Sequence, residues 1–124
     1  MTSENAVQTL AHRARQRLRD YARLGQPVTY QALTQELELS PPHTIQQLAA
    51  ALEHLMQEDA KAGLPMIAAL VVSKAAGGVP RLGFFECAQR IGRFDGDVNG
   101  PEAMRFHEIE FKSAVEFWGR AVSS

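Results

Sequence analysis

The stretch over residues 28–55, "VTYQALTQELELSPPHTIQQLAAALEHL", places the firmest constraint on the fold of this chain. Its apolar residues recur at three- and four-residue steps on both sides of "LSPP", which predicts two helices separated by a tight turn. The first is predicted over residues 30–37, with Thr29 as its N-cap. The second is predicted over residues 42–61, because proline is tolerated in a first turn and "GLP" follows the last apolar position. The pair has the outline of a helix-turn-helix.

One more helix is predicted before this pair, and a hairpin after it. The first helix spans residues 3–24, with Ser3 as its N-cap and "GQP" as its stop. The apolar run "MIAALVV", at residues 66–72, is bounded by turn residues on both sides and is typical of a buried strand. "RLGFF", at residues 81–85, is predicted to return beside it, with "AAGGVP" as the turn.

The C-terminal part is predicted to be helical and rich in aromatic residues. A short helix ends at Gly92, a polar loop follows, and a last helix spans residues 102–122. Its apolar residues lie on two sides, one with Phe106, Ile109 and Phe117 and the other with Phe111, Val115 and Trp118. A helix that is apolar on two sides is buried twice, within its own domain or against a partner. The second side is therefore the candidate partner interface, in a homodimer or with another protein.

Composition restricts the class of protein further. The chain has 124 residues, which suits one domain, and its longest apolar run is far shorter than the ~20 residues of a membrane-spanning helix. The start of the chain lacks the pattern of a signal peptide, and there is a single cysteine. The expected location is the bacterial cytoplasm, with no membrane contact. A formal net charge of −1 excludes the global basicity of a protein that coats nucleic acid.

These elements predict a single α+β domain over residues 1–124 that is mostly helical. Three helices, a β-hairpin wing and two C-terminal helices follow one another, an order that resembles the winged helix-turn-helix superfamily. The core of such a fold covers about residues 5–85, and a helical extension covers about residues 86–122.

"PVTYQAL" and "LPMIAALVVSKAAGGVPRLGFF" together resemble the C-terminal domain of the DNA alkyltransferases and of their non-catalytic alkyltransferase-like relatives. That family begins its second helix with "VTYG-x-LA" and later has a Pro-Cys-His-Arg-Val-Val segment with a Gly-rich continuation. The paired valines match Val71 and Val72. The other motif residues of the family meet different residue types here: the proline, acceptor cysteine, histidine and arginine fall on Ile67, Ala68, Ala69 and Leu70, and the helix arginine falls near Gln46.

The resemblance implies a helix-turn-helix topology with an added strand, and DNA as a ligand. It implies no alkyl transfer, because the acceptor cysteine falls on an alanine. "ALVV…G…GFF" followed by an aromatic helix also resembles a group of small bacterial proteins, and this second resemblance implies no activity.

The third predicted helix supplies the first candidate DNA-binding residues, which are Thr44, Gln46 and Gln47. They lie at the helix end that usually contacts bases, and glutamine can hydrogen-bond adenine. The second half of the same helix contains the acidic residues Glu53, Glu58 and Asp59, which repel phosphates unless they point away. The alternative is an ordinary helix that faces solvent or a protein partner.

Basic residues elsewhere complete the candidate set. Lys74 and Arg81 flank the glycine-rich hairpin tip, as in a wing that approaches a DNA backbone and equally as in any hairpin whose charged end keeps it soluble. Arg13 and Arg17 are candidates for phosphate contacts on the first helix. The alternative for the two helix arginines is a solvated surface whose aliphatic stems cover apolar residues.

No catalytic set, metal site or cofactor is expected. Cys87 has no basic neighbour or base in sequence and is predicted to be a small buried thiol. The histidines lack the spacing of zinc ligands. Asp95, Asp97 and Asn99 alternate as in a calcium loop, but Phe106 stands where its twelfth-position glutamate belongs, so a polar turn is predicted.

Two functions follow, neither of them enzymatic. The first is a winged-helix regulator that binds double-stranded DNA, which predicts that the four candidate cations converge on the face with Gln46 and Gln47. The alternative is a protein-interaction module on a winged-helix scaffold that has lost DNA binding. It predicts a large exposed apolar patch around Phe111 and Trp118.

Overall fold

The computed structural model describes residues 4–120, which form five α-helices around a minimal sheet. The helices are α1 Glu4–Leu24, α2 Tyr30–Glu36, α3 Thr44–Lys61, α4 Leu82–Arg90 and α5 Pro101–Trp118. The strands are β1 Val28–Thr29 and β2 Val71–Val72, and a 3-10 turn at Ile67–Leu70 leads directly into β2. The predicted cap Ser3 and the predicted helix end near Val122 lie outside the described residues. The expectation of a mostly helical α+β fold is confirmed.

The core lies where α1, α3 and α5 surround the 3-10 turn. α1 and α3 each bury one stripe at the spacing that the sequence predicts, whereas the two apolar sides predicted for α5 are not the buried ones. Its buried positions are Ala103, His107, Glu110 and Ala114. The side chains that are fully buried include Leu18, Leu33, Leu48, Leu55, Met56 and Leu70. Burial of one such side chain stabilises the fold by about 1.5–3 kcal/mol, so this stripe pattern fixes the helix arrangement.

The sheet is a parallel pair of two-residue strands. Val28 lies opposite Val71 and Thr29 opposite Val72. Thr29 also caps α2, because its hydroxyl accepts a hydrogen bond of 3.1 Å from the Ala32 N–H, as predicted. The sheet therefore ties the start of α2 to the end of the buried apolar run.

The prediction of a second hairpin strand at residues 81–85 is wrong. Residues 73–79 do form a tight turn, closed by an antiparallel bridge between Ser73 and Val79. "RLGFF" then begins α4 instead of pairing with β2. Phe84, Phe85, Cys87 and Ala88 are all buried in α4, a spacing that suits one face of a helix and not alternate positions of a strand.

Two other boundaries differ from the predictions. The helix predicted from Pro42 begins at Thr44, because His43 has a left-handed backbone with φ of 63°. The buried run 66–72 is a strand only at its last two residues. The N–H groups of Met66 and Ile67 donate to carboxylates, so they are not free to pair with a neighbouring strand.

Candidate nucleic-acid interface

Tyr30, Gln46 and Arg81 meet at the junction of three helices. Tyr30 begins α2, Gln46 lies in the first turn of α3, and Arg81 immediately precedes α4. The Arg81 guanidinium lies 5.7 Å from the centre of the Tyr30 ring, and the Arg81 N–H donates to the Tyr30 hydroxyl over 3.3 Å. Burial raises the pKa of Tyr30, so its hydroxyl stays neutral and can accept this hydrogen bond.

An open cleft of about 760 Å³ lies on one side of this junction, and we call it the basic cleft. Its lining includes Thr29, Gln31, Gln46, Ser73, Lys74 and Arg81. Neither Lys74 nor Arg81 forms an ion pair with any residue between 4 and 120. The structure thus brings together three of the predicted DNA-binding residues, Gln46, Lys74 and Arg81. The positive charges of Lys74 and Arg81 have no carboxylate partner among the described residues.

The remaining predicted DNA-binding residues are engaged elsewhere. Gln47 donates to the carbonyls of Ser40 and Pro42 and so holds the turn between α2 and α3. Arg13 donates to the Leu37 carbonyl over 2.6 Å, and it lines a shallow groove with Gln47 outside the basic cleft.

Arg17 and Thr44 also lie apart from the cleft lining. Arg17 forms a 2.6 Å ion pair with Glu36, and this hydrogen bond raises the pKa of Arg17. Thr44 is the first residue of α3 and is half-buried. The predicted convergence of four cations on one face is therefore partial. Lys74 and Arg81 line the basic cleft, and Arg13 and Arg17 of α1 do not.

The three acidic residues in the second half of α3 share two arginine partners. Glu53 lies 3.2 Å from Arg90, and Glu58 lies 3.0 Å from Arg15. Asp59 is buried and lies 2.9 Å from the same Arg15. These pairs reduce the repulsion that the sequence predicts between α3 and a phosphate backbone.

A smaller cavity of about 310 Å³ shares Tyr30, Gln46 and Arg81 with the basic cleft. Its apolar lining includes Leu52, Met56, Ala68 and Phe84. The polar side chains of Gln46, Glu53 and Arg81 line it as well. The local sequence pattern does not predict this cavity. Its only signal is the small size of Ala49, Ala68 and Gly83, which come from three separate segments.

Ala68 lines this cavity, and we call the segment around it, residues 66–69, the cavity floor. Two buried carboxylates bind the backbone of this floor. Asp59 accepts a hydrogen bond of 3.0 Å from the Ile67 N–H, and Glu110 accepts one of 2.8 Å from the Met66 N–H. Burial raises the pKa of Asp59, against the opposing effects of the Ile67 hydrogen bond and of Arg15. Each carboxylate is therefore a fixed acceptor for the backbone next to Ala68.

Three donors hold the carbonyls of the same segment. His107 Nε2–H donates to Ala69 over 2.9 Å, and Trp118 Nε1–H donates to Pro65 over 2.8 Å. Arg93 donates to the Leu64 carbonyl. Side chains from α3, α5 and the loop before α5 thus position residues 64–70 with little freedom.

The predicted partner interface on α5 lies largely against its own domain. Phe111, Val115 and Trp118 are half-buried and pack on the core. The Arg15 guanidinium covers the Trp118 ring at 4.7 Å. The large apolar side chains that α5 leaves exposed are instead Met104 and Ile109.

Other candidate chemistry is limited to structural roles. Cys87 is buried, as predicted, and burial raises the pKa of its thiol. Asp97 accepts a hydrogen bond of 2.9 Å from the Asn99 N–H, which makes the predicted polar turn. Between residues 4 and 120, no group of three His, Cys, Asp or Glu side chains is arranged to bind a metal ion. Over the same range, every helix is too short or too polar to cross a membrane.

Comparison of the chain with protein-family models, with curated proteins and with solved structures gives no match.

Proposed function

We propose that this chain is a non-catalytic DNA-binding module on a winged-helix-like scaffold, and that it binds double-stranded DNA through the basic cleft. The observation that supports this most directly is the convergence of Gln46 with Lys74 and Arg81. Two cations without carboxylate partners next to a free amide match the chemistry of a phosphate backbone and a base edge.

The surroundings of the cleft also support DNA as the ligand. The Gln46 side chain has no hydrogen-bond partner among the described residues, so it is available to an adenine edge. The acids of α3 are paired with Arg15 and Arg90, which weakens their repulsion of an approaching phosphate. Although the predicted second strand of the hairpin is a helix, the turn that contains Lys74 is formed and is closed by the Ser73–Val79 bridge.

Binding through so few cations is expected to be weak and salt-dependent. Two phosphate contacts predict a slope of about −1.8 in a plot of log K against log salt concentration. Fluorescence anisotropy of a labelled random-sequence duplex, titrated at several salt concentrations, measures this slope. Absence of binding at low salt would contradict the proposal.

A matched pair of double variants tests the location of the site. Lys74→Ala with Arg81→Ala is expected to abolish most of the affinity and of the salt slope. Lys61→Ala with Arg105→Ala removes the same charge from two exposed positions on α3 and α5, and it is expected to leave both quantities near the wild-type values. Equal losses in the two variants would show a diffuse charge effect and not a site.

A protein-interaction role on the same scaffold is the second candidate function. It is supported by the exposure of Met104 and Ile109, which are 60% and 58% exposed on α5. Sedimentation velocity over a range of concentrations tests self-association through these exposed side chains. A dimer that Met104→Ser with Ile109→Ser disrupts would favour this role, whereas a monomer at all concentrations would exclude a homodimer.

A further inference from the structure

The geometry points to the small cavity as a binding site for a compact aromatic carboxylate, one that contacts Arg81 and thereby competes with DNA. The binding site itself is independent of the DNA proposal, whereas its regulatory effect depends on that proposed function. Four features of the cavity support the inference: its size, its apolar lining, its charge and its rigid floor.

The size and lining of the cavity suit an aromatic ring system. A cavity of roughly 150 Å³ holds benzene, so a volume of about 310 Å³ admits either a single ring or two fused rings. Leu52, Met56, Ala68 and Phe84 line it, and aliphatic, sulfur-containing and aromatic groups of this kind pack well on a ring.

The charge of the lining favours an anion. Arg81 and Glu53 are the ionisable side chains that line the cavity besides Tyr30, whose hydroxyl is neutral. Glu53 is paired with Arg90 at 3.2 Å, while Arg81 has no ion-pair partner among residues 4–120. A carboxylate at the cavity mouth therefore gains a guanidinium partner, and the Gln46 amide can donate to the same group.

The floor of the cavity is formed in advance. Ala68 lies in the 3-10 turn, and backbone groups on both sides of it are hydrogen-bonded to the side chains of Asp59, Glu110 and His107. A site that needs no rearrangement loses little free energy in ordering its own residues when a ligand binds. The small side chain of Ala68 keeps the space above it open.

Occupancy of the cavity affects the basic cleft through shared residues. Tyr30, Gln46 and Arg81 line both spaces. A carboxylate that binds Arg81 neutralises one of the two cations that the proposed DNA contact requires. The ligand and DNA should therefore bind competitively.

The probe for the site is 2-naphthoate, titrated into the full chain without DNA and followed by isothermal titration calorimetry and amide chemical shifts. We expect saturable binding with a Kd on the order of 1 mM or tighter, as is usual for a ligand with so few atoms. The uncharged match, 2-naphthamide, should bind about tenfold more weakly, because it lacks the charge-assisted hydrogen bond. Equal affinity for the two compounds would overturn the role of Arg81.

Two matched pairs of variants locate the site. Arg81→Gln should weaken 2-naphthoate binding about tenfold, whereas Arg105→Gln, an exposed arginine on α5, should not. Ala49→Leu fills the cavity and should abolish binding, whereas Ala50→Leu adds the same volume at an exposed position of the same helix. Thermal unfolding verifies that each variant is folded. Unchanged binding in folded Ala49→Leu, or no binding by the wild type, would overturn the inference.

The competition is tested separately, with labelled duplex DNA and 2-naphthoate together. DNA release by 2-naphthoate but not by 2-naphthamide at equal concentration supports the regulatory effect. If the wild type binds 2-naphthoate but no DNA, the cavity site stands and the proposed function fails. If both bind without competition, the proposed function stands and the regulatory inference fails.

Discussion

The Asp59 carboxylate links Arg15 to the backbone of Ile67. One oxygen lies 2.9 Å from Arg15 Nη2, and the other accepts a hydrogen bond of 3.0 Å from the Ile67 N–H. Asp59 is only 2% exposed, so this link joins α1 and α3 to the cavity floor inside the protein. Its removal leaves a half-buried guanidinium and a buried N–H without this acceptor.

Substitution of Asp59 should therefore be costly. Asp59→Ala is expected to lower the free energy of unfolding by about 3 kcal/mol, because it breaks a buried ion pair from one side. Asp59→Asn should cost less, since its amide oxygen still accepts from Ile67. Urea denaturation measures both effects. The exposed Asp20→Ala, which loses surface pairs with Arg17 and Arg23, should cost less than about 0.5 kcal/mol. Equal losses at the two positions would contradict the buried link.

Stability should depend on pH through His107. Burial between Phe84 and Phe111 lowers the pKa of His107 below the usual 6.5, against the effect of its hydrogen bond to Ala69. The folded state then binds fewer protons than the unfolded state. The stabilising contribution is present above pH 6.5 and is lost as the pH falls through the folded pKa.

His107→Gln isolates this effect, because glutamine can still donate to the Ala69 carbonyl but does not titrate. Its unfolding free energy, measured by urea denaturation from about pH 7 downwards, should fall less steeply below pH 6.5 than that of the wild type. Parallel profiles for the two proteins would show that His107 does not contribute.

The Trp118 hydrogen bond should stabilise the end of α5. Trp118→Phe keeps an aromatic ring beneath Arg15 but leaves the Pro65 carbonyl without its 2.8 Å donor. We expect a loss of about 1–2 kcal/mol in the free energy of unfolding, the usual cost of a missing donor at a partly buried acceptor. Circular dichroism during urea denaturation measures it. A loss below about 0.5 kcal/mol would contradict the prediction.

Two glycines should respond to alanine in opposite directions. A Cβ added at Gly119 would lie 2.5 Å from the Val115 carbonyl oxygen and 2.6 Å from that of Ala22, so Gly119→Ala should destabilise by about 1–3 kcal/mol. A Cβ at Gly83 would meet nothing within 4 Å. Gly83→Ala should stabilise α4 by about 0.5–1 kcal/mol, because alanine loses less backbone entropy in a helix. Melting temperatures that shift in the same direction would refute this pair of predictions.

Local patterns in the sequence were sufficient to predict the long helices. The apolar spacing of α3 and the cap at Thr29 depend on neighbours within one or two turns, and both are confirmed. The segment at 81–85 shows the limit of such patterns. Five residues with two adjacent phenylalanines suit a strand or a helix, and the buried Cys87 and Ala88 of the next turn decide for the helix.

The candidate site was predictable only in part, for a physical reason. Lys74 and Arg81 lie at the ends of one short turn, so their proximity follows from chain connectivity. The cavity, in contrast, depends on Ala49, Ala68 and Gly83 coming together from distant segments. The pairing of Arg15 with Asp59 likewise joins residues far apart in sequence, and no local spacing predicts it.

The strand pair has a consequence for the order of folding. Val28 and Val71 are paired in parallel although α2, α3 and the 3-10 turn separate them in the chain. Closing this loop costs chain entropy, and four strand residues offer little to offset it, so we expect the sheet to form after α1 and α3 have docked. We therefore expect the start of α2 and the turn with Lys74 to reach their final relative positions together, late in folding.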